Sequence, residues 1–276
     1  MSGPEAGLLD AAGTRHVRVD GDARIVSLVP SVTELVCELG LAEQLVGRTG
    51  FCIHPRESVR RVRKVGGTKD VDLDKLRSLR PTHVILNIDE NRKEDARALA
   101  EFVPALIVTH PLSPLDNPAL YRLIGGIFGR EREAEALCGR FKDAYEALNS
   151  TTQAFPTKRV LYLIWRNPWM TVSHDTYISR MLALVNWETV PAGSAERYPK
   201  IDLDGAALDE TDTVLLSSEP FMFREKHLAE MRALPALRGK KTALIDGEMT
   251  SWYGSRAIKG LAYLRRFRDE LDRAPA

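Results

Sequence analysis

The sequence predicts an α/β protein of two Rossmann-like lobes joined by one long rigid backbone helix, on three observations. Strand-sized apolar runs alternate with amphipathic helical segments, the pattern of parallel sheets with crossover helices. A stretch near the middle keeps helical periodicity for about 20 residues without a break. The segments on either side of that stretch echo one another.

The first strand reads Arg24-Ile25-Val26-Ser27-Leu28-Val29. Pro30-Ser31 then opens a helix, with Ser31 read as the N-cap, Glu34 at the capping-box position and Gly40 as the stop. Further strands are predicted at Leu45–Arg48, His83–Asn87 and Ala105–Thr109. Gly125-Gly126-Ile127-Phe128-Gly129 follows a helix instead of a strand, so it reads as a helix C-cap and not as a phosphate loop. Over 130–150, Ala134, Leu137, Phe141, Tyr145 and Leu148 share one face, and Pro156 bars any continuation of the helix. About 20 residues at 1.5 Å each make a rod of roughly 30 Å, a spacer one domain wide.

Beyond it, Arg159-Val160-Leu161-Tyr162-Leu163-Ile164 repeats the form of the first strand. Asp72-Leu73-Asp74 precedes the apolar run Val84-Ile85-Leu86, and Asp202-Leu203-Asp204 precedes Val214-Leu215-Leu216 at the same separation. Each half thus carries a helix start leading into a buried strand. The expected boundaries are 24–129 for the first lobe, 130–156 for the connecting helix and 157–276 for the second lobe. A ligand is expected where strand C-termini face the interface of the lobes.

Composition narrows the class of function. The chain has 276 residues, 44% hydrophobic and 28% charged, as in an ordinary globular protein. A net charge of +1 argues against a nucleic-acid partner, and the basic cluster Arg56, Arg60, Arg61, Arg63 and Lys64 reads as a solvated face. No apolar run approaches the ~20 residues of a membrane span. Residues 1–23 are acidic and small, without the basic and apolar regions of a secretory signal. The expectation is a cytoplasmic protein, or a periplasmic one if the start site is misassigned. Three cysteines, Cys37, Cys52 and Cys138, make neither a disulfide framework nor a metal knuckle, which suits a reducing compartment.

The common catalytic motifs are missing: no GxGxxG, P-loop, GxSxG or HExxH. Candidate ligand contacts lie on loops after predicted strands. Phe51, Cys52 and His54 sit in one such loop; the thiol and imidazole either reach a soft metal or shape the loop, and both readings stay open. Asn87-Ile88-Asp89-Glu90-Asn91-Arg92-Lys93 follows another strand, where Glu90 is a candidate for orienting a ligand. The second half places Trp165, Arg166 and Trp169 at a strand exit and Trp252, Tyr253 and Arg256 before the last helix. Rings on loops suit the face of a flat ligand, with Arg166, Arg256 or Lys69 meeting an anionic group.

Taken together, Arg24-Ile25-Val26-Ser27-Leu28-Val29-Pro30-Ser31 with Thr33-Glu34-Leu35, Lys64-Val65-Gly66, the run from Leu73 through Pro81 to Leu86, and Asn167-Pro168 carry a resemblance. The chain resembles the class III substrate-binding proteins, the helical-backbone metal receptor superfamily of cobalamin- and iron-siderophore-binding proteins. Its nearest likeness is to signal-less members with Phe51-Cys52, His54-Pro55, Gly66-Gly67-Thr68-Lys69 and Trp252-Tyr253-Gly254-Ser255-Arg256. The resemblance implies binding without catalysis, a corrinoid, haem or metal chelate such as cobalamin as cargo, and an ABC permease as partner. It implies permease docking through one acidic residue per lobe, here Asp74 and Asp204, where the family usually has Glu. The aromatic that cobalamin-binding members carry after Lys-Val-Gly is replaced by Thr68-Lys69. The alternative is a cytoplasmic enzyme or chaperone acting on a metal-containing cofactor, with Cys52 or His54 near the chemistry.

Overall fold

A computed structural model describes residues 8–152, 154–203 and 206–274, without the side chains of Ala206 and Ala207. The chain divides into two compact units. One holds Met1–Pro111, Leu115–Phe141 and Tyr253–Arg256; the other holds Leu112–Pro114, Lys142–Trp252 and Ala257–Ala276. Each is an α/β layer structure around its own parallel sheet.

In the first unit the order is β1 (Ile25–Ser27), α1 (Pro30–Glu38), β2 (Leu45–Arg48), α2 (Arg56–Val59), β3 (Arg63–Lys64), α3 (Leu73–Ser78), β4 (His83–Asn87), α4 (Lys93–Ala100), β5 (Ala105–Thr109) and α5 (Asn117–Ile127). The five strands are all parallel in the order β3-β2-β1-β4-β5. Parallel neighbours require crossovers, and helices supply them, so both sheet faces are covered and the central strands β1 and β4 are largely buried and mostly apolar. Val26, Leu28, Val84 and Leu86 meet Leu76, Leu79 and Leu99 in one buried cluster.

Helix α6 (Glu131–Thr152) is the long helix expected at 130–150, and Ala134, Leu137, Phe141 and Leu148 are buried on one face while Tyr145 is half-buried. Its first half belongs to the first unit and its second half to the second.

The second unit continues with β6 (Lys158–Leu163), α7 (Tyr177–Ala183), β7 (Trp187–Thr189), α8 (Ala206–Asp209), β8 (Thr213–Ser217), α9 (Glu225–Arg232), β9 (Lys241–Ile245), α10 (Gly247–Ser251) and α11 (Arg256–Arg273). Its four strands are parallel in the order β7-β6-β8-β9. Leu161, Leu163, Val214 and Leu216 from the two central strands pack with Phe223, Leu228 and Met231. The echo of β1 and β4 by β6 and β8 is therefore real at the level of topology: in each sheet these are the adjacent central pair.

Local expectations fare unevenly. Strands β2, β4 and β5 have the bounds read from the sequence. Asp72 caps α3, accepting from the Lys75 amide at 3.0 Å. Ser31 does not cap α1: the N-cap is Val29, no side chain caps it, and Pro30 takes the first position, where its fixed φ and missing N–H cost nothing. Glu34, read as the reciprocal half of a capping box, is engaged elsewhere. The second Asp-Leu-Asp does not start a helix at Asp202, since α8 begins at Ala206, and Asp204 lies outside the described residues.

Of the glycine run, Gly129 (φ 65°) serves as the residue after the C-cap, but Gly125 lies inside α5. A Cβ on Gly125 would stand 2.6 Å from the Ala134 Cβ, so the glycine is what lets α5 and α6 approach. The basic cluster is solvated as expected: Arg56, Arg60, Arg61, Arg63 and Lys64 are all exposed. Part of the segment before β1 is anchored to the first sheet. Asp10, buried, accepts from the amides of Ala12, Thr14 and Val108, and the Ala11 amide donates to the Val108 carbonyl, covering the open edge of β5.

Within the first unit, the short segment Tyr253–Arg256 is stitched to α1 and α5. Arg256 Nε donates to Glu34 Oε2 at 2.7 Å with both side chains 7% exposed. The Gly254 amide donates to Asn117 Oδ1 and the Gly254 carbonyl accepts from the Tyr121 hydroxyl. Removing one member of a buried ion pair strands the other charge. Arg256→Met is expected to lower the free energy of unfolding by about 3–5 kcal/mol. Replacing both partners, Glu34→Met with Arg256→Met, is expected to recover most of that loss. Urea unfolding followed by circular dichroism measures both, and an undiminished midpoint in the single variant contradicts the assignment.

Candidate functional site

Because every strand in a unit points the same way, all its strand C-termini lie on one edge. In each sheet the chain winds outward on one side, then returns to add strands on the other: beyond β1 in the first unit and beyond β6 in the second. Loops diverge at such a switch point and leave a crevice over the carboxyl ends, here over β1/β4 and β6/β8. The sequence-predicted ligand loops after β2, β4 and β6 all lie on these edges.

In the first unit the loop 49–55 presents Phe51 and Ile53 to solvent, 62% and 50% exposed, while Cys52 between them points inward and is fully buried. The Cys52 Sγ sits 3.1 Å from Thr49 Oγ1 and 3.8 Å from the Ser27 carbonyl. Burial pushes its thiol above the ordinary range, with Thr33 and Thr49 offsetting part of that. The geometry is that of a thiol shaping a loop. His54 is half-buried in the same loop. Among the described residues no group of three or more His, Cys, Asp or Glu side chains is placed to hold a metal ion.

The loop after β4 is wired by its own amides. Asn91 is buried, accepts from the Asn87 amide at 2.8 Å and donates to the carbonyls of Leu28 and Thr68. It therefore ties the exits of β1, β3 and β4 together. Asn87 is buried too, and its Oδ1 accepts from the Asp89 and Glu90 amides. Lys69, exposed, donates to the Asp89 carbonyl at 2.8 Å. What this loop offers outward is Ile88, exposed, and Glu90, half-buried, whose Oε1 accepts from the Tyr253 hydroxyl at 2.5 Å.

In the second unit Trp165 leaves β6 40% exposed, edge-on to Phe221 with 5.8 Å between centroids. Trp169, half-buried, stacks on Phe223 at 6.0 Å. Arg166 packs over Trp169 and pairs with Glu230 at 2.7 Å, so its charge is balanced within the unit. Sequence reasoning missed the other half of this cluster. Phe221, Met222 and Phe223 follow β8, and the rule that picked out Trp165, rings and apolar groups at a strand exit, applies to them equally. Met222 and Phe223 also line a cavity of about 430 Å³ together with Leu216, Glu219, Leu244 and Ile245.

Trp252, Tyr253 and Arg256, expected on the sequence to contact the ligand, are buried. Both rings are only 7% exposed and the arginine is held by Glu34. Trp252 Nε1 donates to Glu219 Oε2 at 2.8 Å. Burial and the neighbouring Glu90 carboxylate hold the Tyr253 hydroxyl well above its usual pKa, so it is a donor at any ordinary pH. Of the two acidic residues matched to permease docking, Asp74 is exposed in the first turn of α3 and Asp204 is outside the described residues.

Known proteins share this architecture. The chain is similar to a vitamin B12-binding protein of Pectobacterium carotovorum, 21% identical over 199 residues, which is 71% of this chain and 72% of that one. It is 26% identical over 193 residues to an uncharacterised ABC transporter substrate-binding lipoprotein of Bacillus subtilis, covering 67% and 60% of the two chains. Among solved structures it is similar to a periplasmic heme-binding protein of Roseiflexus (TM-score 0.78, 21% identity, 91% of this chain and 99% of that one). A periplasmic vitamin B12-binding protein of Vibrio cholerae gives a TM-score of 0.77 at 15% identity, with the same coverage. Relatives described as periplasmic or as lipoproteins lend no support to the cytoplasmic expectation. No helix among the described residues is long and apolar enough to cross a membrane. The sequence profile of the periplasmic binding protein family matches residues 25–248, through both sheets, and the chain belongs to that family.

Proposed function

We propose that this protein is the substrate-binding component of an ABC transporter and holds a flat metal-bearing ring, a corrinoid or haem, on the carboxyl edges of its sheets. One observation carries the reading. Phe51, Ile53, Ile88, Trp165 and Met222 are five of the nine large apolar side chains exposed among the described residues, and all five stand on loops after strands. Apolar groups gathered in the open at one kind of position mark a binding surface. A large ring with an apolar face covers such groups; a small polar solute does not. The names of the similar proteins, vitamin B12-binding and heme-binding, support the same class.

Reversible binding, and not turnover, is the proposed activity. None of the similar proteins named above supports the alternative of a cofactor-processing enzyme, and Cys52, its best nucleophile, is buried and protonated. Asp74 and Asp204 are proposed to meet basic residues of a permease, with export across the membrane or lipid anchoring placing the protein where a permease is met.

Covering an aromatic ring is worth about 1.5–3 kcal/mol. Phe51→Ala and Trp165→Ala are each expected to weaken binding of cobinamide or haemin by roughly 10- to 150-fold in calorimetric titrations. Unchanged affinity for both ligands in both variants contradicts the surface. Charge reversal, Asp74→Lys with Asp204→Lys, is expected to abolish stimulation of the cognate transporter's ATPase in proteoliposomes while leaving ligand binding intact; full stimulation dismisses the docking role.

Burial raises the pKa of all three thiols, that of Cys37 to about 11. A raised thiol pKa means the protonated, unreactive form prevails below it. Ellman's reagent at pH 8 is expected to react slowly with the folded protein and to titrate all three thiols on unfolding. A fast-reacting Cys52 in the native state would reopen the enzymatic reading.

A further inference from the structure

One buried side chain in the first unit makes contacts that lead, step by step, to the exposed ring of Phe51. Asn91 Oδ1 accepts from the Asn87 amide at 2.8 Å, a contact inside its own loop. Its Nδ2 reaches further, donating to the Leu28 carbonyl at 3.3 Å after β1 and to the Thr68 carbonyl at 3.1 Å after β3. Closing the loop after β4 does not require those two donations. Asn87 Oδ1 already accepts from the Asp89 and Glu90 amides, and Asn87 Nδ2 donates to Thr109 Oγ1 at 3.3 Å. Thr68 continues a stretch that touches the Phe51 loop twice. The Gly66 carbonyl accepts from the Gly50 amide at 2.8 Å, and a Cβ on Gly67 would stand 3.3 Å from Phe51 Cε2, so the ring lies beside this glycine. All of these residues belong to the first unit.

We infer that Asn91 is a positioning residue: by donating to Thr68 it fixes the stretch 66–68, and through that stretch it holds the Phe51 ring in the orientation that meets the ligand. The inference rests on the ring-ligand reading and adds to it a residue that acts from behind the surface. Phe51 is 62% exposed, so little besides its own loop and Gly67 limits where the ring points. Freezing a mobile side chain on binding costs affinity, and backing it beforehand removes that cost. If only about a tenth of the molecules hold the ring correctly, apparent affinity falls about tenfold with every ligand contact intact. Asn91 is suited to the task because it is buried and both of its donor contacts go to main-chain carbonyls, which side-chain motion does not displace.

Asn91→Asp tests this in the full chain, since it keeps the shape and the acceptor for the Asn87 amide but turns an oxygen toward two carbonyls. In the free protein, hydrogen exchange at the Gly50 amide, followed by NMR, is expected to quicken about tenfold, while the Ile88 amide, bonded to the Thr109 carbonyl, is unchanged. In calorimetric titrations with cobinamide and haemin, the variant is expected to bind about tenfold more weakly than the wild type. The same change made on top of Phe51→Ala is expected to cost less than about twofold, because no ring is left to place. A merely structural role makes the two losses multiply. That result, unaltered Gly50 exchange, or a Phe51→Ala variant that binds as well as the wild type overturns the inference. Gly67→Ala crowds Phe51 from the same stretch and leaves Asn91 in place, so it serves if Asn91→Asp does not fold. Its loss of affinity is likewise expected to vanish once Phe51 is alanine, and losses that multiply overturn the inference. If the wild-type chain binds neither cobinamide nor haemin, the ring-ligand reading itself fails, and this inference with it.

Discussion

Parallel pairing of every strand within each sheet is the constraint on which the rest of the structure depends. Two neighbouring parallel strands cannot be joined by a turn, so each connection travels back across a sheet face, and helices are what the faces receive. Covered on both sides, the central strands must be mostly apolar at their centres, as β1, β4, β6 and β8 are. Within each sheet all strand C-termini then share one edge, and the loops that begin there pack partly into the unit, as Cys52 and Phe223 do, and partly reach outward. Those loops carry Phe51, Ile53, Ile88, Trp165 and Met222 in the open. The edge is therefore a surface that the topology makes available and that the side chains have made sticky.

Much of the fold was legible because buried parallel strands leave a strong mark. Val84-Ile85-Leu86 and Val214-Leu215-Leu216 are short, apolar and bounded, and they lie where expected. The long helix was legible from its single apolar face. Caps were less so. The capping-box pattern at Ser31 and Glu34 is sound chemistry, but Pro30 already fills the first helical position and Glu34 is claimed by Arg256, 222 residues away in sequence. No local pattern carries that information.

The site was legible in outline only. Phe51 and Trp165, singled out on loops after strands, are exposed. Trp252 and Tyr253 look the same in sequence, as rings on a loop, yet they are buried, and the next residue, Gly254 with its φ of 75°, lies close against Ser31 and Leu35. Phe221 and Met222 passed unnoticed although they leave β8 as Trp165 leaves β6. The lesson is physical: a ring at a strand exit reaches the ligand surface only if the segment behind it is not itself docked, and docking depends on contacts distant in sequence. Arg166 and Arg256, expected to meet an anionic group, pair with Glu230 and Glu34 within their own units, contacts no local pattern announces.

The central claim is that the carboxyl edges of the sheets hold the ligand. Amide hydrogen exchange with and without saturating cobinamide or haemin tests it most directly. The account predicts ligand-dependent protection in 49–55, 87–91, 164–169 and 218–223, with the opposite ends of the same strands unchanged. Protection confined to the amino-terminal ends of the strands, or to the outer faces of the helices, would contradict it.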